Sequence, residues 1–341
     1  MADLTIDFLD VGQGDGTFIQ FPDGSTMLID LGSTKNAAIV KTESLVFFKS
    51  IWEMGEEGNV LDYLMLTHGD QDHYNLVEEL FDDYELDVGE IYIGGAEDDY
   101  QVGGFAEDFL KPRRNKLNLF SNDYSSGFSP WKSIGGADIY VLAVNFPRRL
   151  IKGTNRKSLV LLLAYEKNSI ILGGDATKAT EKEIIRYYTK LNSANLLKSK
   201  FMKVNHHGSE TSSSVEWIRA LAPEYAFVSA DMHDGYLLPR CAVIDRILAQ
   251  NTIDRNYDSH PYLCFDKGRD DWKNNPKSTN AIFNTLAGYT DEVWTPSPVK
   301  KKKQKKPPLV RQVVGHGVRF TLTFKAKGGF EITHTEYPKI K

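Results

Sequence analysis

THGDQDH, residues 67–73, sets four side chains able to ligate metal, His68, Asp70, Asp72 and His73, within seven residues. It follows directly on the run Leu61–Leu66, which reads as a buried strand. A strand ending in such a cluster places nitrogen and oxygen donors at the rim of a sheet. There they can converge on divalent cations without burying unpaired charge. A purely structural role would leave four polar groups competing for partners at one strand end. The pattern points to metal-activated water attacking a bond.

Three other segments share this design, a short apolar strand and then a candidate ligand beside small residues. Asp30 ends TMLID and precedes Leu-Gly, Asp175 follows Ile170–Leu172 and two glycines, and His206 and His207 follow FMKV and precede Gly-Ser. Taken alone, an Asp at a strand end is usually a turn or cap residue. It is the convergence of several strand ends that builds a cleft. Around them, residues 4–11, 17–21 and 26–31 predict an antiparallel meander about the corner VGQGDG. Helical spacing is predicted over 37–54, 75–81, 181–191, 215–221 and 241–250, and strands at 90–93, 139–144, 158–165, 169–172, 201–204 and 225–229. Two series of strands followed by helices imply two sheets face to face with helices outside.

The 341 residues, 41% hydrophobic and 26% charged, describe a globular chain. We expect a hydrolase domain over 1–294 with an irregular insertion at about 82–135, a mobile Lys/Pro-rich segment at 295–308, and a β-hairpin over 309–341 packed on the main domain. No apolar run reaches the roughly 18 residues of a membrane span, and the N-terminus lacks a signal-type pattern. The expected location is the cytoplasm, with no membrane partner. Two cysteines, Cys241 and Cys264, argue against a disulfide framework and against a cysteine metal site. The net charge of −5 provides no global field for nucleic acid.

Six ordered motifs, FLDVGQGDGTFIQ (8–20), MLIDLG (27–32), LTHGDQDH (66–73), NRKSLVLLL (155–163), ILGGDA (171–176) and KVNHHGSETSSS (203–214), carry a family resemblance. Over residues 8 to about 230 the chain resembles the metallo-β-lactamase fold superfamily. More narrowly it resembles the hydrolase domain of the competence protein ComEC and its free-standing relatives. The resemblance implies an α/β fold, an αββα sandwich of two mixed sheets face to face with helices outside, and two divalent metal ions, Zn or Mn, at one edge. It assigns His68 and Asp70 to one ion, Asp72 and His73 to the other, and Asp175 to a bridge. One of His206 and His207 completes a shell, the family's turn favouring His207. Asp72, Asp175 and His207 are then the catalytic candidates. Asp30 would orient a histidine, while Asp10, Gln13 and Asp15 lie in a loop near the site and serve it or simply form a turn.

Two departures stand out. Thr154 and Asn155 occupy the place where many superfamily hydrolases have a histidine, so Asn155 would ligate weakly or contact substrate. Leu238 precedes Pro239 where relatives have His-Pro, and His233 is a possible substitute. The implied reaction is phosphodiester cleavage by a hydroxide shared between the metals, with DNA or RNA as the first expected substrate. Ser209, Thr211 and Ser212–Ser214 are candidate phosphate donors, with a helix cap before Val215–Leu221 as the alternative for at least one of them, and the stretch Arg148–Lys157 and Lys300–Lys306 are candidate polyanion contacts. The alternatives are a small phosphodiester, such as a nucleotide messenger or choline phosphate ester, and a metal-stabilised binding or defence-partner module with little turnover.

Overall fold

The computed structural model describes residues 2–34, 46–54, 58–121, 123–146, 153–231, 235–255, 257, 261–275, 281–296 and 309–336. The first sheet begins with β1 (Leu4–Phe8), β2 (Gly14–Gln20), β3 (Thr26–Ser33), β4 (Val60–Leu66), β5 (Asp87–Ile93) and β6 (Leu117–Leu119). The second takes β7 (Lys132–Ile134), β8 (Ala137–Ala143), β9 (Val160–Tyr165), β10 (Asn168–Leu172), β11 (Phe201–Lys203) and β12 (Tyr225–Val228). The chain then returns to the first sheet with β13 (Tyr262–Asp266) and β14 (Asp271–Asn275), and adds β15 (Ile282–Asn284) to the second. It closes with β16 (Leu286–Pro296), β17 (Leu309–Phe324) and β18 (Phe330–Glu336) in the first. The first sheet runs β14-β13-β16-β17-β1-β2-β3-β4-β5-β6, with β18 on β17, and the second β15-β12-β11-β10-β9-β8-β7. Both are mixed: β1–β2–β3 is antiparallel, whereas β3–β4–β5 and β10–β11–β12 are parallel.

Period-2 alternation sorts the side chains into layers. Leu4, Ile6 and Phe8 of β1, Ile19 of β2 and Met27 and Ile29 of β3 face the second sheet and join one core with Leu161–Leu163 of β9. Phe18, Leu28, Leu64 and Leu66 point the other way into an outer core. That outer core is closed by α1 (Val77–Asp83) through Val77, Leu80 and Phe81, and by Phe105, Phe109 and Leu110 of the insertion. On the far side, α2 (Lys178–Lys190), α3 (Val215–Leu221) and α4 (Cys241–Leu248) bury Ile184, Trp217 and Ile244 against the second sheet. The layers are therefore helix, sheet, sheet, helix. Strands buried on both faces give the loops at their ends a stiff base, each fully buried Leu or Ile contributing about 1.5–3 kcal/mol.

Of the helix expected over 37–54, residues up to 45 lie outside those described. Phe47, Phe48 and Trp52 pack around Phe18 of β2 at ring separations of 5.5–5.7 Å. Of the segment expected to be mobile over 295–308, Thr295 and Pro296 instead end β16, paired with Val310 and Leu309 of β17, while residues 297–308, like His233, lie outside the described residues. The C-terminal third, from about residue 251, matches no motif and supplies β13–β16 in addition to the hairpin strands β17 and β18. The run YLCF of β13 is buried throughout and so shows no alternation to read. This strand brings about one correction. Cys264 of β13 is disulfide-bonded to Cys241, the first residue of α4. Two cysteines 23 residues apart gave no sign of bridging because the strand carrying one of them was not legible. Among the described residues no helix is long and apolar enough to cross a membrane.

Candidate metal centre

Four strand ends deliver the site. β4 runs into Thr67, His68 and a short turn over Gln71–His73. Beside it, the β2–β3 ladder slips between Gly16 and Thr17, so that Asp30 is the extra residue of a bulge with φ 58°. The bulge turns the Asp30 carboxylate toward β4, where it accepts from Thr67 N (2.7 Å), Thr67 Oγ1 (2.6 Å) and His73 Nδ1 (2.8 Å). Gly32, two residues on, has to be glycine. A Cβ there would lie 2.6 Å from the backbone nitrogens of His73 and Tyr74. The LG of LIDLG is the slot that seats the DQDH backbone.

From the second sheet, β10 leads through Gly173 and Gly174 to Asp175, and β11 through Val204 to the turn Asn205–Gly208. His206 (φ 51°, ψ 49°) and His207 (φ 51°, ψ 20°) are both left-handed. Two consecutive non-glycine residues in that region cost on the order of 1–3 kcal/mol each. The result is that both rings reach Asp175. Asp175 Oδ2 lies 3.8 Å from His68 Nε2 and 3.4 Å from His206 Nε2, while Oδ1 lies 3.3 Å from His73 Nε2 and 3.5 Å from His207 Nε2. Asp70 Oδ2 stands 3.4 Å from His68 Nε2, and Asp72 Oδ2 3.6 Å from His207 Nε2. The other six candidates gather around the Asp175 carboxylate, His68, Asp70 and His206 on one side and Asp72, His73 and His207 on the other.

The remaining ring nitrogens are all engaged, and this sets the tautomers. Thr67 Oγ1 donates to Asp30 and therefore accepts from His68 Nδ1 (3.1 Å). His73 Nδ1 donates to the Asp30 carboxylate, and His207 Nδ1 to the Ser229 carbonyl (2.9 Å). His206 Nδ1 meets the Thr211 hydroxyl at 3.1 Å, itself 2.9 Å from Ser209 Oγ. The Nε2 atoms of His68, His73 and His207, with Asp175 Oδ1, are buried and have no hydrogen-bond partner. Buried polar groups are ordinarily satisfied. Unpartnered lone pairs converging from opposite sides of a carboxylate fit divalent cations.

The electrostatics agree. Burial pushes the Asp175 carboxyl up, but His206, His207 and His73 outweigh it and hold it well below the carboxylate range. Burial likewise opposes charge on His73 and His207, yet Asp175 with Asp30 on one, and with Asp72 on the other, raises both imidazoles. Asp70 and Asp72 are lowered against the same opposing burial by neighbouring histidines. His206, the most exposed of the rings at 26%, is lowered by burial and by nearby imidazoles. Without metal, the surrounding carboxylates shift His73 and His207 toward their protonated, positively charged forms.

Other expected residues sit around this centre. Asn155 Nδ2 donates to Asp175 Oδ2 (3.2 Å), and Thr154 Oγ1 donates to Asp70, so both residues at the missing-histidine position touch candidate ligands. Asp15 pairs with Lys203, both almost fully buried, with Oδ1 of Asp15 lacking a partner. Gln13 Oε1 accepts from Asp231 N (3.4 Å), and Asp10 Oδ1 from Gly12 N (3.3 Å). Of the basic stretch, residues 147–152 lie outside those described, and Lys157 is bound to both carboxylate oxygens of Asp99 (2.5 and 2.6 Å). Leu238–Arg240 lies over the histidine turn. Arg240 N donates to Gly208 O (3.0 Å), and a Cβ on Gly208 would meet Pro239 at 2.6 Å. Sequence reading missed Lys203 and Glu181. Lys203 was signalled by a charge inside the buried strand FMKV; Glu181 had no local signal.

Residues 9–233 match the profile of the Metallo-beta-lactamase superfamily, and with this fold and histidine-aspartate centre the chain belongs to that superfamily. It is 28% identical over 264 residues to ComE operon protein 3 of Bacillus subtilis, covering 73% of this chain and 31% of that protein. To Recombination protein 2 of Haemophilus influenzae it is 26% identical over 245 residues, covering 71% and 26%. The chain thus spans about a third or less of the length of these relatives. Among solved structures, an archaeal metallo-β-lactamase superfamily protein from Sulfolobus tokodaii aligns over 74% of this chain and 97% of its own. The identity is 13% and the TM-score 0.33.

Proposed function

We propose that this protein is a metal-dependent hydrolase of phosphodiester bonds, with nucleic acid as substrate. The observation that carries the reading is Asp175, each oxygen of which faces two imidazole Nε2 atoms. His68, Asp70, Asp175 and His206 would hold one ion, and Asp72, His73, Asp175 and His207 the other. Four nitrogen and three carboxylate ligands suit Zn²⁺ and Mn²⁺ alike. Bound there, the ions supply Lewis acidity toward a phosphoryl oxygen and activate water for attack.

The chain's own residues do the positioning. Asn155 orients Asp175 and Thr154 orients Asp70. Asp70, 35% exposed, and His206 form the open edge by which a substrate reaches the centre. His206 supplies the nitrogen that positions 154 and 155 lack, which weighs against a module with little turnover. The names of the relatives, a competence-operon and a recombination protein, favour a nucleic-acid substrate.

A small phosphodiester is the second reading, because Lys157, part of the basic stretch expected to contact a polyanion, is held by the Asp99 carboxylate. The Cys241–Cys264 bridge favours an oxidising compartment over the cytoplasm. Metal-loaded protein, incubated with labelled single- and double-stranded DNA and RNA and with bis(p-nitrophenyl) phosphate, tests the proposal against Asp175→Ala. Polymer cleavage lost in the variant supports it. Cleavage of the small ester alone selects the second reading, and turnover of neither overturns both.

A further inference from the structure

We propose that Glu181, on α2 and outside the centre itself, is the positioning residue that holds His206 and His207 in their ligating conformation. The proposal rests on the reading of both histidines as metal ligands. Glu181 is fully buried, and its partners all lie on the histidine loop. Oε1 accepts from Asn205 Nδ2 (2.9 Å) and Ser213 N (2.6 Å), and Oε2 from Ser214 N (2.9 Å). Every one of these partners is an N–H donor, so the group acts purely as an acceptor, as a carboxylate does.

The same carboxylate therefore grips the loop before and after the two left-handed histidines. The loop is also closed on itself: Ser213 Oγ accepts from Asn205 N (3.2 Å), and Ser212 Oγ donates to Asn205 O (2.7 Å). From α4, Arg246 donates to the carbonyls of Ser212 (3.0 Å) and Ser213 (2.7 Å). A backbone held twice over in a sparsely populated region needs surroundings that over-determine it. Of these restraints, only the Glu181 carboxylate bonds both flanks of the histidine pair from another element. Ser212–Ser214 are thereby occupied within the loop, and Ser214 also caps α3 by accepting from Trp217 N (3.2 Å).

Cobalt(II) titration of the full chain, followed by visible absorption, tests the assignment with Glu181→Gln, Asn205→Ala and the control Ile184→Ala. Glutamine keeps the shape but turns an N–H donor toward one of the loop's donors. We expect Glu181→Gln to bind Co²⁺ at least about tenfold more weakly, as losing a group that orients a ligand does. Asn205→Ala, which removes one of the three bonds, weakens it less, and covers the case in which Glu181→Gln does not fold. Ile184→Ala, a cavity in the same helix, lowers the melting temperature with native cobalt affinity. Native Co²⁺ affinity and spectrum in a folded Glu181→Gln, or in Asn205→Ala should the former not fold, overturn the proposal. An unaltered chain that takes up no Co²⁺ overturns the metal reading and this proposal with it, a result distinct from the first.

Discussion

Replacing Asp30 with asparagine exchanges one carboxylate oxygen for an NH₂ group beside His73, and the geometry dictates a large effect. The carboxylate serves three donors with two oxygens, Thr67 N on Oδ1, and Thr67 Oγ1 and His73 Nδ1 on Oδ2. Asparagine must turn its NH₂ toward one side. Facing Thr67 N, it leaves a buried backbone N–H opposed by another donor. Facing His73, it forces the imidazole proton from Nδ1 to Nε2, the nitrogen that points at Asp175, and so removes the lone pair a cation needs. Either arrangement loses a charge-assisted hydrogen bond of about 1.5–3 kcal/mol. For a group orienting a metal ligand, the expected weakening is about 10–100-fold, or about 1.4–2.8 kcal/mol at 1.4 kcal/mol per tenfold. Calorimetric titration of metal-free Asp30→Asn with Zn²⁺ measures it, and the same protein gives the loss in hydrolysis. Two ions bound within twofold of the parent affinity would refute the tautomer argument.

Two further outcomes follow from the same structure. Lys203→Met leaves the Asp15 carboxylate buried without its cation and is expected to destabilise by about 3–5 kcal/mol, while Asp15→Leu with Lys203→Met recovers most of that. Urea denaturation of the singles and the double checks this, and additive losses would show that the pair is not a unit. Because His73 and His207 are raised, their stabilising protonation in the metal-free protein is complete below the ordinary histidine value of about 6.5 and is lost as pH rises through the folded values. Ion uptake must displace those protons, so titrations in buffers of differing ionisation enthalpy should report net proton release at about pH 8, where a histidine at the ordinary value of about 6.5 is already almost wholly neutral. Absence of proton release at that pH would contradict the raised values.

What could be read in advance was whatever the chain encodes locally. Strands ending in ligand residues announce themselves because the run before each is apolar and the ligand stands beside glycine, as at Leu61–Leu66 and Ile170–Leu172. Helix α3 was legible over its full span because Ser214 and the spacing of Trp217, Ile218 and Leu221 are contiguous. What stayed hidden depends on meetings across the fold. That both His206 and His207 face Asp175 follows from two left-handed residues, a conformation their identities do not announce. The Asp30 bulge follows from a register slip against β2. The Cys241–Cys264 bridge needed β13, whose burial on both faces erased its period. Glu181 looks like any helix glutamate until Asn205 and Ser213 are folded against it.

The neighbouring pair His206–His207 has a consequence for how this centre can change. The two rings serve opposite oxygens of Asp175 yet hang from one planar, rigid peptide unit. Under the two-ion proposal, a displacement of that unit carries a donor of each cation position with it, and only the χ1 and χ2 torsions of the separate rings are left to adjust one position alone.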